Sequence, residues 1–187
     1  MAIVYFDSSA FVKLFVEEAG STLAIDLWNG CDVAVASRLA YAEVCAALAA
    51  ADRSGSITAS EHDHAQRRWD RYWAGVRSLE LTRSVARSAG AKAREHSLSG
   101  ADAVHLASAL VVDDPNLVVA TWDRRLAVAQ FRDRAPMKPT FRVPNERAVS
   151  RVPETFATGR VYHAAVTAAI GRAADLRSRG WRPEKPW

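Results

Sequence analysis

The sequence has few cysteines and no long apolar run. Cys31 and Cys45 lack metal-ligand spacing and stand among apolar residues, which favours buried thiols in a reducing compartment. No segment approaches the ~20 uninterrupted apolar residues of a membrane helix. Asp7 and Lys13 interrupt the N-terminal apolar run, so we do not interpret it as a signal peptide. We therefore expect a cytoplasmic protein with no membrane contact.

Proline is scarce before residue 136, since six of the seven prolines lie at or beyond it. The charge changes at the same place: residues 138–187 carry a net +6, whereas the preceding residues carry a net −2. The overall net charge of +4 therefore comes from residues 138–187. We predict one domain over 1–137 and a basic, proline-containing extension over 138–187, with a helix over 160–179. The extension either contacts nucleic acid or has no function.

Short apolar runs alternate with helical patterns through residues 1–137. Strands are predicted at 3–6, 33–37, 78–82 and 117–123, and helices lie between and after them. This alternation predicts an α/β protein with a parallel sheet covered on both faces.

Aspartates follow two of the predicted strands. Asp7 ends the first strand, directly before a helix that Ser8 or Ser9 would cap, and Asp123 ends the fourth strand. The carboxyl ends of parallel strands meet at one sheet edge, where α/β proteins bind ligands. A helix-capping role is an equally good interpretation of Asp7 considered alone.

Two further acids lie in apolar helical segments. Glu43 stands within LAYAEVCAALAAA, and Asp102 stands in the first turn of GADAVHLASAL. A buried ionised carboxylate costs several kcal/mol unless another group offsets its charge. No Lys or Arg lies within one helical turn of Glu43 or Asp102, whereas Arg124 and Arg125 directly follow Asp123.

A divalent cation would offset the charge of clustered carboxylates. Oxygen ligands without histidine or cysteine suit Mg²⁺ or Mn²⁺. Such an ion lowers the pKa of a bound water, orients it towards a phosphodiester and neutralises charge on the leaving oxygen. The pattern therefore indicates phosphodiester hydrolysis by a metal-activated water.

Four segments carry a family resemblance, namely MAIVYFDSSAFVKLF, AYAEVCAAL, GADAVHLASAL and ATWDRRLAVAQ. In order and spacing they resemble the PIN domain, and specifically the VapC-type toxin ribonucleases of toxin–antitoxin pairs, over residues 1 to about 134. The resemblance implies a three-layer α/β/α fold with a mainly parallel sheet, and a Mg²⁺- or Mn²⁺-dependent endoribonuclease. It also implies an RNA substrate, a cognate VapB-like antitoxin that covers the active cleft, and a homodimer.

The resemblance assigns roles to the four acids by position. It makes Asp7, Glu43 and Asp102 the core acids that hold metal, directly or through water. It makes Asp123 the fourth acid, at the position that the family varies most. These four are the predicted catalytic and metal-binding residues.

Several neighbours of the acids are predicted to support the site or to contact substrate. Ser8 would cap the first helix or bind a metal-coordinated water, and Thr121 stands two residues before Asp123. Arg124, with Arg125, would meet substrate phosphate or balance Asp123. For His105 we favour a packed, hydrogen-bonded core histidine over a substrate contact.

Two further side-chain sets receive structural interpretations. We expect His62, His64 and His96 to be solvated, because their surroundings are polar and show no ligand pattern. Trp69, Tyr72, Trp73 and Val76 recur at helical spacing, and for them we favour packing over a partner-binding stripe.

Two other functions compete with the toxin ribonuclease. One is a nuclease or phosphoesterase on the same scaffold that acts on DNA or another phosphate ester, since attack by a metal-activated water does not need the RNA 2′-hydroxyl. The other is a catalytically inactive PIN-like binding module. The presence of all four acids argues against the inactive module, which would have no use for uncompensated charge.

Overall fold

The computed structural model describes residues 1–16 and 19–134. Four parallel strands form one sheet in the order β3-β2-β1-β4, with β1 at Ile3–Phe6, β2 at Val33–Ser37, β3 at Val76–Leu79 and β4 at Val118–Ala120. The predicted α/β class with a parallel sheet is confirmed. The predicted boundary at 137, the extension over 138–187 and its helix at 160–179 lie outside the described residues.

Seven helices connect and follow the strands in the described part of the chain. They are α1 (Ser8–Val12), α2 (Ser21–Gly30), α3 (Leu39–Arg53), α4 (Ala59–Ala74), α5 (Arg83–His96), α6 (Gly100–Val111) and α7 (Arg124–Arg134). None of these helices combines the length and apolar character that a membrane crossing needs.

Successive side chains of each strand point to opposite faces of the sheet, and both faces are buried. On one face Val4 and Phe6 join a core with residues of α1, α2, α3 and α4. On the other face Tyr5 packs with Val35, Val119 and Ala109 of α6. The sheet is thus the middle layer of three, as predicted.

The aromatic residues of α4 pack inside the first of these cores. Trp69 is 0% exposed, and its ring centroid lies 4.9 Å from that of Phe11. Tyr72 and Trp73 are partly buried against the same core. The favoured packing interpretation of this stripe is confirmed.

Two predicted strands differ from the observed ones. The strand predicted at 78–82 begins earlier, at Val76, because α4 ends at Ala74 and Val76 already pairs with Ala34. The strand predicted at 117–123 ends at Ala120, because its partner β1 ends at Phe6. Residues 121–123 leave the sheet, and their polar groups serve the site.

The sheet register brings two sequence-distant segments together at its carboxyl edge. Phe6 pairs with Ala120, and the Asp7 N–H donates to the Ala120 carbonyl at 3.2 Å. The residues that directly follow β1 and β4 are therefore neighbours. The two strands that end before Asp7 and Asp123 are thus adjacent in the sheet.

Candidate active site

Asp7 is the N-cap of α1, and its side chain accepts hydrogen bonds on both oxygens. Oδ1 accepts from the Ala10 N–H at 2.8 Å and from the Ser9 hydroxyl at 2.7 Å. Oδ2 accepts from the Thr121 hydroxyl. The prediction that Ser8 or Ser9 caps this helix was wrong, since Asp7 stands at the strand end and caps the helix itself.

Burial dominates the electrostatics of Asp7. The residue is 3% exposed, and desolvation raises the pKa of its carboxyl. Hydrogen bonds from Thr121, Ser9 and Ala10 oppose this rise but do not cancel it. Asp7 is thus a carboxylate whose charge is costly in the absence of a positive partner.

Thr121 links Asp7 to Asp123. Its Oγ1 donates to Asp7 and accepts from the Asp123 N–H at 3.0 Å. The Asp123 Oδ1 accepts from the Leu126 N–H at 2.8 Å, so this acid also serves the first turn of a helix, α7. One buried hydroxyl therefore contacts two of the predicted acids.

Glu43 lies on α3 and is held from two other helices. Its Oε2 accepts from the Ser8 hydroxyl of α1 and lies 2.7 Å from the His105 Nε2 of α6. Burial acts to raise the pKa of the Glu43 carboxyl, but the hydrogen bonds from His105 and Ser8 outweigh it, so that the pKa is lowered. Glu43 is therefore ionised more readily than an ordinary glutamate.

His105 continues this network into the core. It is 2% exposed, and its Nδ1 lies 2.9 Å from the Tyr5 hydroxyl oxygen, which accepts from the Ser37 N–H at 3.3 Å. The favoured interpretation as a packed, hydrogen-bonded core histidine is confirmed. Its bond to Glu43 and the contributions of Tyr5, Ser37 and Ser9 were not predicted.

Asp102 stands in the first turn of α6, capped by Ser99 as predicted. Its Oδ2 accepts from the Ser99 hydroxyl at 2.7 Å, and its N–H donates to the Ser99 Oγ at 3.2 Å. Asp102 precedes His105 by three residues, so both lie on the same side of the helix. Among the residues described, no hydrogen bond joins Asp102 to the other three acids.

The four acids differ in burial. Only Asp7 is buried, whereas Glu43, Asp102 and Asp123 are partly exposed. The side chain of Glu43, for example, is 29% exposed to solvent. The expectation that Glu43 and Asp102 stand in costly surroundings was too strong. Apolar neighbours in sequence occupy the other faces of α3 and α6, and the two acids lie at the margin of the core.

The acids lack cationic side-chain partners within the described segments. No Lys or Arg there lies at ion-pair distance from any of the four, and the His105–Glu43 contact is their one ion-pair-like contact. Arg124 and Arg125 make no ion pair with Asp123 in these segments. The alternative in which these arginines balance Asp123 is therefore not supported.

A tight trio of ligand atoms exists elsewhere in residues 1–16 and 19–134. Ligand atoms of Glu95, His96 and Asp133 lie within 4.8 Å of one another, a proximity that the four predicted acids do not reach. Lys92 Nζ already supplies one positive charge to this trio, at 2.8 Å from Glu95 Oε2 and 3.0 Å from Asp133 Oδ2. The prediction that His96 is solvated was wrong, since its side chain is 6% exposed and contacts Asp133 at 3.0 Å.

The donor set at the sheet edge fits a hard divalent cation. All four predicted ligands are carboxylates, and the nearest imidazole nitrogen is occupied by Glu43. The costly charge of Asp7 is the second indication, because a bound cation would offset the effect of its burial. The residues present therefore suit a hard divalent cation better than a metal that prefers nitrogen or sulfur ligands.

Known proteins resemble this chain over most of its described residues. The profile of the PIN domain matches residues 4–132. The chain belongs to the PIN domain family. Two curated relatives from Mycobacterium tuberculosis, "Ribonuclease VapC45" (strain CDC 1551 / Oshkosh) and "Ribonuclease VapC49" (strain ATCC 25618 / H37Rv), are each 62% identical to it over 126 residues. Each match covers 67% of this chain and 88% of the relative.

The comparisons confirm the predicted family and type, a VapC-type PIN domain. They also agree with the parallel α/β sheet described above. The individual roles of Asp7, Glu43, Asp102 and Asp123 stay predictions, as do those of Ser8, Thr121 and Arg124.

Proposed function

We propose that this chain is the toxin ribonuclease of a toxin–antitoxin pair, a metal-dependent endoribonuclease that hydrolyses RNA phosphodiesters. The single observation that carries the proposal is the buried Asp7 carboxyl at the end of β1, which the Thr121 hydroxyl links to Asp123, with no Lys or Arg partner for either acid in the described chain. The PIN family and the ribonucleases at 62% identity support the reaction class.

Asp7, Glu43, Asp102 and Asp123 are the residues that would hold the metal, directly or through water. When bound there, a divalent ion supplies a water of lowered pKa and a positive charge facing the phosphate. Mg²⁺ and Mn²⁺ are the proposed ions, because hard oxygen donors suit both. The hydrogen bonds that lower the pKa of Glu43 favour its ionised form, which is the form that would bind a cation.

The supporting residues keep these acids oriented. Thr121 holds the Asp7 carboxyl and the Asp123 backbone together, whereas Ser8 holds the Glu43 carboxyl beside the start of α1. His105, backed by Tyr5, prevents Glu43 from turning towards solvent. These side chains position the reacting groups, and none of them is needed as a nucleophile.

The proposed partners follow from the VapC type. We propose RNA as substrate, a VapB-like antitoxin as protein partner, a homodimer as the assembly and the cytoplasm as location. Free Cys31 and Cys45 agree with a reducing compartment. The division into a catalytic domain over 1–137 and an extension over 138–187 belongs to the same proposal.

The test is a cleavage assay on purified protein. Single-stranded RNA, single-stranded DNA and a generic phosphate ester are each incubated with Mg²⁺, with Mn²⁺ or with EDTA. We expect cleavage of RNA alone, and only with a divalent ion. Asp7→Asn should abolish it, whereas Asp26→Asn, the same change at an exposed helical aspartate, should cut like the parent.

Each other outcome identifies a competing function. Metal-dependent cleavage of DNA or of the ester would favour a PIN-scaffold nuclease or phosphoesterase of different specificity. Binding of RNA without any cleavage would favour the inactive module. Cleavage by Asp7→Asn at the parental rate would show that a contaminant supplies the activity.

A further inference from the structure

A concave basic surface lies on α7, the helix that begins directly after Asp123. This pocket of about 350 Å³ is lined by His96 at the end of α5 and by Arg124, Arg125, Val128, Ala129 and Arg132. We name it the α7 pocket. Three guanidinium groups and one imidazole line it, and none of its lining residues is acidic.

The guanidinium groups of the α7 pocket are not neutralised by the described part of the chain. No carboxylate there lies at ion-pair distance from Arg124, Arg125 or Arg132. The neighbouring acids are already engaged, because Asp123 accepts from the Leu126 N–H and Asp133 contacts Lys92 and His96. The pocket thus presents uncompensated positive charge.

The positions of these arginines disfavour a purely stabilising role. Arg124 and Arg125 stand in the first turn of α7, where the helix dipole is unfavourable for cations. Like charges on the same helix also repel one another. Solvent weakens both effects at these exposed positions, and an anionic ligand would offset them.

We propose that the α7 pocket binds a backbone phosphate of the RNA substrate, next to the phosphodiester that is cleaved. The inference rests on the proposed function and adds a substrate subsite to it. Arg124, which lines the pocket, directly follows Asp123 in the chain, so the pocket begins one residue after one of the four acids. The guanidinium fork matches phosphate oxygens in geometry and charge.

The shape of the pocket favours a nucleic-acid strand over a docked protein helix. Its volume of about 350 Å³ admits one phosphate with its ribose. A protein helix, about 10 Å across with its side chains, needs a broader groove. Arg132 lies two turns beyond Arg124, so the cations extend along α7 away from the acids.

Phosphate contacts of this kind position the strand and do not read its bases. The α7 pocket residues are therefore positioning residues. Loss of their charge should weaken RNA binding and raise KM, whereas kcat at saturating RNA should change little. This split separates the pocket from the acids, whose loss removes kcat.

The test compares two double variants with equal charge loss. Arg125→Gln/Arg132→Gln removes two pocket cations, and Arg67→Gln/Arg71→Gln removes two exposed cations of α4. Binding of a short fluorescein-labelled single-stranded RNA is measured by anisotropy in EDTA. We expect the pocket variant to lose affinity on the order of tenfold. Its salt dependence, as log K against log salt, should become shallower by roughly 0.7 for each phosphate that the variant no longer neutralises.

The control variant should keep the parental affinity within about twofold, because its charges lie elsewhere and are screened. Melting temperatures verify folding, and the single variant Arg132→Gln should show a smaller loss in the same direction. Cleavage kinetics should show a raised KM and a kcat within about twofold of the parent.

Three outcomes would overturn the inference. Equal RNA affinity of the pocket and control variants, with a parent that cleaves RNA, would refute the subsite and leave the proposed function intact. Unchanged RNA binding with weakened binding of the antitoxin would assign the pocket to a protein partner. A parent that neither binds nor cleaves RNA would refute the proposed function and this inference with it.

Discussion

The Nε2 atom of His105 lies 2.7 Å from Oε2 of Glu43, and this contact joins α6 to α3 at the candidate site. The second nitrogen of His105 lies 2.9 Å from the Tyr5 hydroxyl oxygen, inside the core. The imidazole of His105 thus connects the Glu43 carboxylate, at the margin of the core, to Tyr5, a buried residue of β1. The orientation of Glu43 therefore depends on side chains that do not reach substrate.

Replacing His105 by Phe should destabilise the protein by about 1–3 kcal/mol, because it removes the hydrogen bonds to Glu43 and Tyr5 and leaves the buried Tyr5 hydroxyl with one partner fewer. It should also raise the pKa of Glu43, which then loses the strongest of the effects that lower it. Thermal denaturation and carboxyl NMR titration measure the two effects.

His64→Phe provides the control, since His64 is exposed on α4. It should leave both the melting temperature and the Glu43 pKa unchanged. A double-mutant cycle of His105→Phe with Glu43→Gln should show a coupling of about 0.5–3 kcal/mol. Strict additivity of the two changes would contradict the contact.

Asp7→Asn should stabilise the metal-free protein, and more so at higher pH. The pKa of Asp7 is raised by burial, so its protonated form is favoured in the folded state. The protonated Asp7 carboxyl therefore contributes fully to stability below about pH 3.9, the pKa of aspartate in the unfolded chain. This contribution is lost as the pH rises through the higher pKa of Asp7 in the folded protein. Asn cannot ionise and keeps a carbonyl oxygen that caps α1.

Melting temperatures of the parent and of Asp7→Asn, measured in EDTA across pH, provide the comparison. The two should be similar in acid and diverge as pH rises, with the variant higher. About 1 kcal/mol corresponds to about 2–4 °C for a chain of this size. Asp26→Asn should show no divergence, and a lower melting temperature for Asp7→Asn at every pH would refute the prediction.

Thr121→Val should impair both stability and cleavage. The change keeps the β-branched shape but removes the hydroxyl that donates to Asp7 and accepts from the Asp123 N–H. Because Thr121 is 5% exposed, we expect the free energy of unfolding to fall by about 1–3 kcal/mol.

Thr121→Ser provides the control, because it restores the hydroxyl and should recover most of the cleavage rate. Equal cleavage rates for the Val and Ser variants would show that the hydroxyl does not position the acids.

The part of the fold that local sequence determines was predictable. Short apolar runs located the strands, and Ser99 marked the start of α6. Strand ends were less accurate, because they depend on the neighbouring strand: β4 ends where its partner β1 turns into α1 at Asp7. No local pattern contains that information.

The site shows the same division between local and non-local causes. The residue types and the strand-end position of Asp7 identified the acids, but their partners come from distant segments. Thr121 is 114 residues from Asp7, and Tyr5 is 100 residues from His105. Such pairs follow from sheet register and helix packing, and a single sequence does not display either.

Gly20 is expected to be the least replaceable glycine near the site. Its φ of +95° is strained for other residues, and a Cβ there would lie 2.3 Å from the Trp122 indole Nε1. Gly20→Ala should therefore destabilise the protein by more than the ~1–3 kcal/mol of backbone strain alone. The change should also lower the cleavage rate, because Trp122 directly precedes Asp123 and the Trp122 backbone N–H donates to the Ser9 hydroxyl oxygen.

Two other glycines separate the causes of this effect. Gly55 has a φ of +71° but no atom near its Cβ position, so Gly55→Ala should show the strain alone. Gly90 lies in α5 with open space around it, and Gly90→Ala should stabilise by about 0.5–1 kcal/mol. Equal losses for Gly20→Ala and Gly55→Ala would show that contact with Trp122 has no energetic effect.

Mn²⁺ should raise the melting temperature of the parent, because an ion that binds only the folded state stabilises it by mass action. Removal of the ion with EDTA should reverse the rise. The Asp7→Asn variant should show little response, since it lacks the carboxylate whose buried charge a cation would offset. The titration is followed by differential scanning fluorimetry.

His96→Gln tests the other location that an ion might occupy. The trio of Glu95, His96 and Asp133 is compact, but the Lys92 ammonium lies within 3.0 Å of both of its carboxylates and already supplies the positive charge there. A divalent ion would have to displace Lys92, whose pKa the two acids raise. His96→Gln should therefore keep the parental response to Mn²⁺, and a response lost in His96→Gln but retained in Asp7→Asn would place the ion at the trio.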